Sequence, residues 1–231
     1  MRVVLIHGSG GNAEVAWGPV RPLERRHTLV APNRGGYPPN PPLARIDFEQ
    51  QAEELAPLLE DGAHLVGHSY GGVIALLIAS QRPEAVLSLT VSEPPAFGVA
   101  RGNPDVESLV ERLDAHFSTG PRDPREFAEG FMAIVGSNAK PPKELSPELE
   151  QGIRALMAER KPWEATIPLD ELAAAPFRKL VISGGHSYAF DAVCDVLEER
   201  LGAERAVLPG AGHGLARAPG YLERLVEFIE R

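Results

Sequence analysis

Three groups far apart in the chain could together make a nucleophile: Ser69, His213 and a carboxylate, either Glu93 or Asp191. A serine hydroxyl is weak at neutral pH. It becomes reactive when an imidazole takes its proton and an acid behind the ring holds that ring in place. N–H donors aimed at the developing oxyanion complete the set. Ser69 lies in Gly67-His68-Ser69-Tyr70-Gly71, between an apolar start at His64-Leu65-Val66 and an apolar run from Val73 to Ser80. This reads as strand, sharp turn and helix, with the serine at the apex. Larger side chains at Gly67 or Gly71 would hold strand and helix apart, so the turn can carry a strained serine above a sheet edge. The following helix points its free N–H groups and positive dipole end at the same spot. The Tyr70 N–H is therefore one oxyanion donor. The loop His7-Gly8-Ser9-Gly10-Gly11 offers the second, from Ser9 or from Gly10.

His213 follows the last apolar strand in Gly210-Ala211-Gly212-His213-Gly214, a loop free enough to bring its ring back over Ser69. Glu93 ends another strand in Val91-Ser92-Glu93-Pro94-Pro95, where the prolines would fix an otherwise solvated charge. Asp191 falls where a helix should be starting and reads as a first-turn residue facing its dipole. Glu93 is the preferred acid and Asp191 the alternative. Three further histidines lie near this chemistry. His68, inside the turn, is expected to point its ring away, and His7 to fix the first loop. His186, together with Gly8 and Gly10, is a candidate for the pocket wall.

The elements that must carry these groups alternate. Short apolar runs at Val3 to Ile6, Thr28 to Ala31, His64 to Val66, Val86 to Val91, Leu180 to Ser183 and Arg205 to Leu208 read as strands buried on both faces. Helical patterns at Val15 to Arg25, Asp47 to Glu60, Val73 to Ser80, Ala189 to Leu201 and Tyr221 to Ile229 separate them. The class is α/β, with helices on both faces of a parallel sheet. Ligands of such sheets bind beyond the carboxyl ends of the strands, where Ser69, Glu93 and His213 all fall. From Phe97 to Pro176 the strand rhythm stops and only helical spacing remains. We therefore divide the chain into a core of residues 1–96 and 177–231 and a helical cap of residues 97–176. Phe117, Phe131 and Trp163 of the cap are candidate substrate contacts.

Composition excludes several classes. The net charge is −9 with no basic run, which argues against nucleic acid and anionic membrane surfaces as partners. No stretch has the length of a membrane span or the form of a leader, so a cytoplasmic protein acting on a small molecule, as monomer or homodimer, is expected. Cys194 is the single cysteine and reads as a buried apolar residue. No Cys/His spacing suggests a metal and no glycine loop suggests a nucleotide, so neither metal nor cofactor is expected.

His7-Gly8, Gly67-His68-Ser69-Tyr70-Gly71 and Gly212-His213, together with the cap, make the chain resemble an α/β-hydrolase along nearly its whole length. The resemblance implies a doubly wound sheet, here reduced to about six parallel strands in the order 2-1-3-4-5-6. It also implies a serine hydrolase acting on a small ester or thioester through an acyl-enzyme. Alternatives on the same residues are carbon–carbon hydrolysis or cyanohydrin lysis, for which the cap offers Lys140, Lys143 and Lys161 as partners, and a non-catalytic small-molecule-binding protein. The loop Pro32 to Tyr37, with Asn33 where the family usually has aspartate, reads as structural. In the family's usual acid position, after the fifth strand, this chain has Ser187 or Tyr188.

Overall fold

The structure is a computed structural model that describes all 231 residues. Six strands form one sheet: β1 (Arg2–Ile6), β2 (Thr28–Val30), β3 (Ala63–His68), β4 (Val86–Ser92), β5 (Arg178–Ser183) and β6 (Glu204–Val207). Their order is β2-β1-β3-β4-β5-β6 and every neighbouring pair is parallel. This is the expected topology. The strands that the sequence marks as continuous apolar runs are the central ones, with Val3 to Ile6 and Leu65 to Val66 fully buried. The helices are α1 (Ala13–Trp17), α2 (Phe48–Leu55), α3 (Tyr70–Gln81), α4 (Pro104–Thr119), α5 (Pro124–Ile134), α6 (Pro147–Ala158), α7 (Leu169–Ala174), α8 (Tyr188–Leu201) and α9 (Tyr221–Ile229).

Helix α3 is buried from Tyr70 to Ala79, because it sits between the sheet and the elements that cover it. On one sheet face α2, α3 and α8 pack over Val4, Ile6, Leu65, Leu89 and Val181. On the other, α1 and α9 cover Val3, Leu5, Val66, Leu180 and Ile182. Alternate residues of each strand thus feed opposite layers, as the pleat requires.

Two helices are shorter than their sequence patterns. The Val15–Arg25 pattern becomes α1 followed by a 3-10 stretch, Gly18–Arg25, because Pro19 and Pro22 cannot donate the N–H groups an α-helix needs. The Asp47–Glu60 pattern is capped by Asp47, whose side chain accepts the Glu49 N–H at 3.0 Å, and tightens to a 3-10 turn at Ala56 ahead of Pro57.

Helices α4 to α6 lie between β4 and β5 in sequence and roof the carboxyl edge of the sheet. Each begins with a side-chain cap followed by proline: Asn103-Pro104, Asp123-Pro124 and Ser146-Pro147. The apolar face of α4 does not form a separate core. Val106, Leu109, Val110 and Leu113 join Phe97, Phe190 and Val193 in the same apolar body as the sheet.

Candidate active site

The β3–α3 turn places Ser69 above the sheet with φ +52° and ψ −127°, a conformation unfavourable for a side chain with a Cβ. The turn closes because Gly67 and Gly71 leave no side chain in it. A Cβ on Gly67 would collide with the Gly71 carbonyl and lie 2.8 Å from Ala75 Cβ. One on Gly71 would strike the Ile6 carbonyl of β1. The Ser69 N–H donates to the Ser92 carbonyl at 2.9 Å, which pins the apex to β4.

Glu93 follows β4 directly and is also strained, with φ +43°. Its N–H is held by the Ile182 carbonyl at 3.0 Å, so β5 fixes the bend. The side chain is fully buried. Oε2 lies 2.7 Å from His213 Nδ1, and His213 Nε2 lies 2.9 Å from Ser69 Oγ. Carboxylate, imidazole and hydroxyl thus form one unbroken line. Oε1 accepts the Gly184 N–H at 2.7 Å. Burial opposes ionisation of Glu93, but the contacts with His186 and His213, the His213 charge and the Gly184 N–H outweigh it and hold the carboxyl down at about 2. Phe190 stacks on the His213 ring at a centroid distance of 4.6 Å and limits its swing.

Asp191 does not meet His213. It sits in the first turn of α8 and is engaged by the Ser183 hydroxyl and by Arg205 Nη2 at 3.2 Å.

Three of the other expectations change. His68 does not point away: its Nε2 is 2.7 Å from the His213 carbonyl oxygen and its ring is 5.0 Å from that of His213, because β3 ends beside the returning loop. Burial and the neighbouring His213 lower its pKa to about 4, so it is a neutral donor to that carbonyl. His186 is not in the wall of the cavity over Ser69. It stands behind Glu93, with Nδ1 3.2 Å from Oε1. Gly8 borders an outer groove rather than that cavity, packed so close that a Cβ would come 2.9 Å from Ser69 Cβ, whereas Gly10 lines the adjoining hollow beside His213. His7 acts as expected, accepting the Arg34 N–H at 3.1 Å while its other nitrogen meets the Gly8 carbonyl at 2.7 Å.

Ser69 and His213 open into a narrow cavity. Phe97, Phe117, Phe131, Trp163 and Phe190 supply an aromatic wall, and Leu113, Val135 and Leu156 fill between them. All three aromatic candidates of the cap are therefore present. The polar wall consists of Ser9 and Glu159. A second hollow shares Ser9, Phe131, Val135, Leu156 and His213 with the first and leads outward past Met132, Ser137 and Gly214. Above Ser69, α3 begins at Tyr70, so the first N–H groups of the helix have no helical acceptor. In the β1 loop the Gly10 N–H is turned to Tyr37 Oη at 3.4 Å, while that of Ser9 finds no protein acceptor.

Glu159 and Arg34 were not legible in the sequence. Arg34 is fully buried, lies between the rings of Tyr37 and Tyr70 at 4.5 and 4.7 Å, and donates to Gln51, the Gly8 carbonyl and Glu159. Glu159, just after α6, also accepts from Tyr37 at 2.7 Å and from the Ser9 hydroxyl. One carboxylate therefore joins the roof, the Pro32–Tyr37 loop and the β1 loop. Removing it leaves a guanidinium buried without its counter-ion. Glu159→Ala is expected to lower the unfolding free energy by about 3–5 kcal/mol. Arg154→Ala, which breaks the exposed pair with Glu150, should cost less than about 1 kcal/mol. Urea titration of both variants checks this; equal small losses would mean that the buried pair does not fasten the roof.

Glu93, His186 and His213 bring donor atoms within 4.8 Å of one another, a spacing that a metal ion could bridge. The 2.7 Å approach of His213 to Glu93 is instead that of a direct hydrogen bond, and an acid shared by two rings accounts for the group. Of the cap lysines Lys140, Lys143 and Lys161, Lys161 is bound to Asp114, and none lines the cavity. No helix is long and apolar enough to cross a membrane.

A family model described as "Alpha/beta hydrolase family" matches residues 3–225. Lipase LipV of Mycobacterium tuberculosis is 25% identical, over 94% of this chain and 88% of its own length. A pimeloyl-[acyl-carrier protein] methyl ester esterase of Aeromonas hydrophila is 30% identical, over 74% of this chain and 64% of its own. Among solved structures, a putative alpha/beta hydrolase from Nostoc sp PCC 7120 superimposes with a TM-score of 0.73 at 18% identity, covering 99% of this chain and 90% of that one.

Proposed function

The chain belongs to the alpha/beta hydrolase family, and on that premise we propose that it is a serine hydrolase cleaving a small ester or thioester through an acyl-enzyme on Ser69. The observation that carries this reading is the line from Glu93 through His213 to the Ser69 hydroxyl, with contacts of 2.7 and 2.9 Å, opening into an apolar cavity. In this reading residues 97–176 are the cap.

His213 Nε2 takes the Ser69 proton as Oγ attacks the carbonyl carbon. The tetrahedral oxyanion is held by the N–H groups of Tyr70 and Ser9. Collapse expels the alcohol or thiol, which leaves with the proton that His213 took. Water then enters, loses a proton to His213, and releases the acid from Ser69. Glu93 keeps Nδ1 protonated and faces the imidazolium formed in both halves.

The aromatic cavity beside the nucleophile suits the acyl group, and the hollow past Met132 and Ser137 suits the leaving group. Lipase and methyl ester esterase activities among the relatives agree with carboxylic ester chemistry. A cavity wall without lysine gives no support to a lyase.

Two measurements test the reading. A fluorophosphonate probe should label the protein at a single serine. A series of p-nitrophenyl esters and matching thioesters should show kcat/KM falling roughly tenfold or more once the acyl chain outgrows the aromatic cavity. Absence of both labelling and ester turnover would remove the proposal in favour of a binding protein.

A further inference from the structure

His186 is outside the relay just described, yet it touches the same acid from the side away from His213. Nδ1 is 3.2 Å from Glu93 Oε1, and Nε2 is 3.1 Å from the Val135 carbonyl oxygen. Both neighbours are acceptors only. A neutral imidazole carries one N–H and one lone pair, so either tautomer would turn a lone pair toward an oxygen. Only the imidazolium offers a proton to each. The Nδ1–H does not point well along the line to Oε1, so this contact is an ion pair more than an aligned hydrogen bond.

The backbone fixes the ring independently. Gly136, with φ +70°, passes against it, and a Cβ there would come 2.5 Å from His186 Cδ2. The same residue accepts the His213 N–H at 3.1 Å, and Ser137 pairs with Gly212 in an antiparallel bridge. A single roof segment, residues 135–137, thus holds His186 at one end and the His213 loop at the other, with Glu93 between them.

We propose that His186 is a positioning residue: as an imidazolium spanning Glu93 and the Val135 carbonyl, it fixes the carboxylate that orients His213 and ties the roof to the relay. This rests on the serine hydrolase reading. The two carboxylates nearest the ring, Glu93 and Asp191, both favour its charge. Glu93 faces it from the end of β4, and Asp191 of α8, held by Arg205, adds a second anion. Asp105 and Arg112 of α4 and Tyr188 border the same surface hollow, and His213 lies across Glu93 with ring centroids 6.3 Å apart. The Glu93 bond, acting against burial, raises the His186 pKa. The charge is therefore present at low pH and lost as pH rises through that raised value. A cation on the far oxygen of Glu93 competes with protonated His213 for one carboxylate. The acid limb of the kcat/KM profile, where the base becomes protonated, should accordingly lie lower than it would without His186.

The experiment combines histidine ¹⁵N NMR of the full chain with pH profiles of kcat/KM on p-nitrophenyl acetate for wild type, His186→Gln and His186→Lys. The ring is partly exposed, so both variants should fold. His186 is expected to be doubly protonated at pH 7. In His186→Gln the acid limb should move up by about one pH unit. His186→Lys, which keeps the charge, should return it toward wild type. A neutral His186 at pH 7, or an acid limb that stays in place in His186→Gln, overturns the proposal. If wild type hydrolyses no ester, the functional reading fails separately, and the protonation state of His186 alone decides whether the ion pair exists.

Discussion

Ser69→Ala is expected to lower turnover of the preferred ester by about 10⁶-fold and to abolish fluorophosphonate labelling, with little change in fold. The size follows from what a single oxygen does here. Oγ is the only group that can form the acyl bond, and the 2.9 Å contact with His213 Nε2 serves no other purpose once it is gone. Binding should survive, because the cavity wall is built from aromatic and aliphatic side chains that the substitution does not touch. KM should therefore change far less than kcat. Residual activity above the uncatalysed rate, from the Tyr70 and Ser9 N–H groups, would be the oxyanion site working alone on water attack. The variant should also relieve no strain: alanine keeps a Cβ, so the φ of +52° remains equally unfavourable. Equal labelling of wild type and Ser69→Ala would mean that the probe reacts elsewhere and that Ser69 is not the nucleophile.

What could be read in the sequence were features that depend on neighbours in the chain. The Gly67–Gly71 turn is local: its glycines, its preceding strand and its following helix are contiguous, so the strained serine could be foreseen. The sheet order followed from alternation and the resemblance, since right-handed crossovers leave few arrangements. Glu93 could be singled out because prolines follow it. Arg34 and Glu159 could not. They are 125 positions apart and lie in segments with no pattern, and only the folded roof brings the guanidinium and carboxylate to 2.6 Å. The directions of His68 and His186 are not legible in the sequence for a related reason. Each ring's direction is set by a carbonyl contributed by another loop, His213 for one and Val135 for the other. The helical patterns failed where proline removed N–H donors, a local signal that was present at Pro19, Pro22 and Pro57 and outweighs apolar spacing.

Glu93→Gln should reduce kcat by about 10⁴-fold, while Asp191→Asn should leave it close to wild type. The two residues follow adjacent strands and have the same charge, so the contrast is a matter of geometry. Glu93 is buried and meets Nδ1 of His213 at 2.7 Å. The glutamine amide keeps the shape but can present its NH₂ to that nitrogen, which then favours the tautomer with its proton on Nε2. That tautomer cannot accept the Ser69 proton. The imidazolium formed during attack also loses its counter-charge. Asp191 has neither role, because the Ser183 hydroxyl and Arg205 occupy it. Its loss should appear in stability and not in turnover. The pH response separates the variants further. Glu93 is held at about 2, below its ordinary value, so its ionic stabilisation is fully present above the usual carboxylate range and disappears as pH falls through about 2. Above pH 5, therefore, Glu93 contributes no titration step to the activity of the wild type. Glu93→Gln should lower kcat across that whole range, with no pH at which wild type and variant converge. A near-normal rate for Glu93→Gln together with collapse in Asp191→Asn would transfer the role of the acid to Asp191 and require its side chain to leave Arg205 during the reaction.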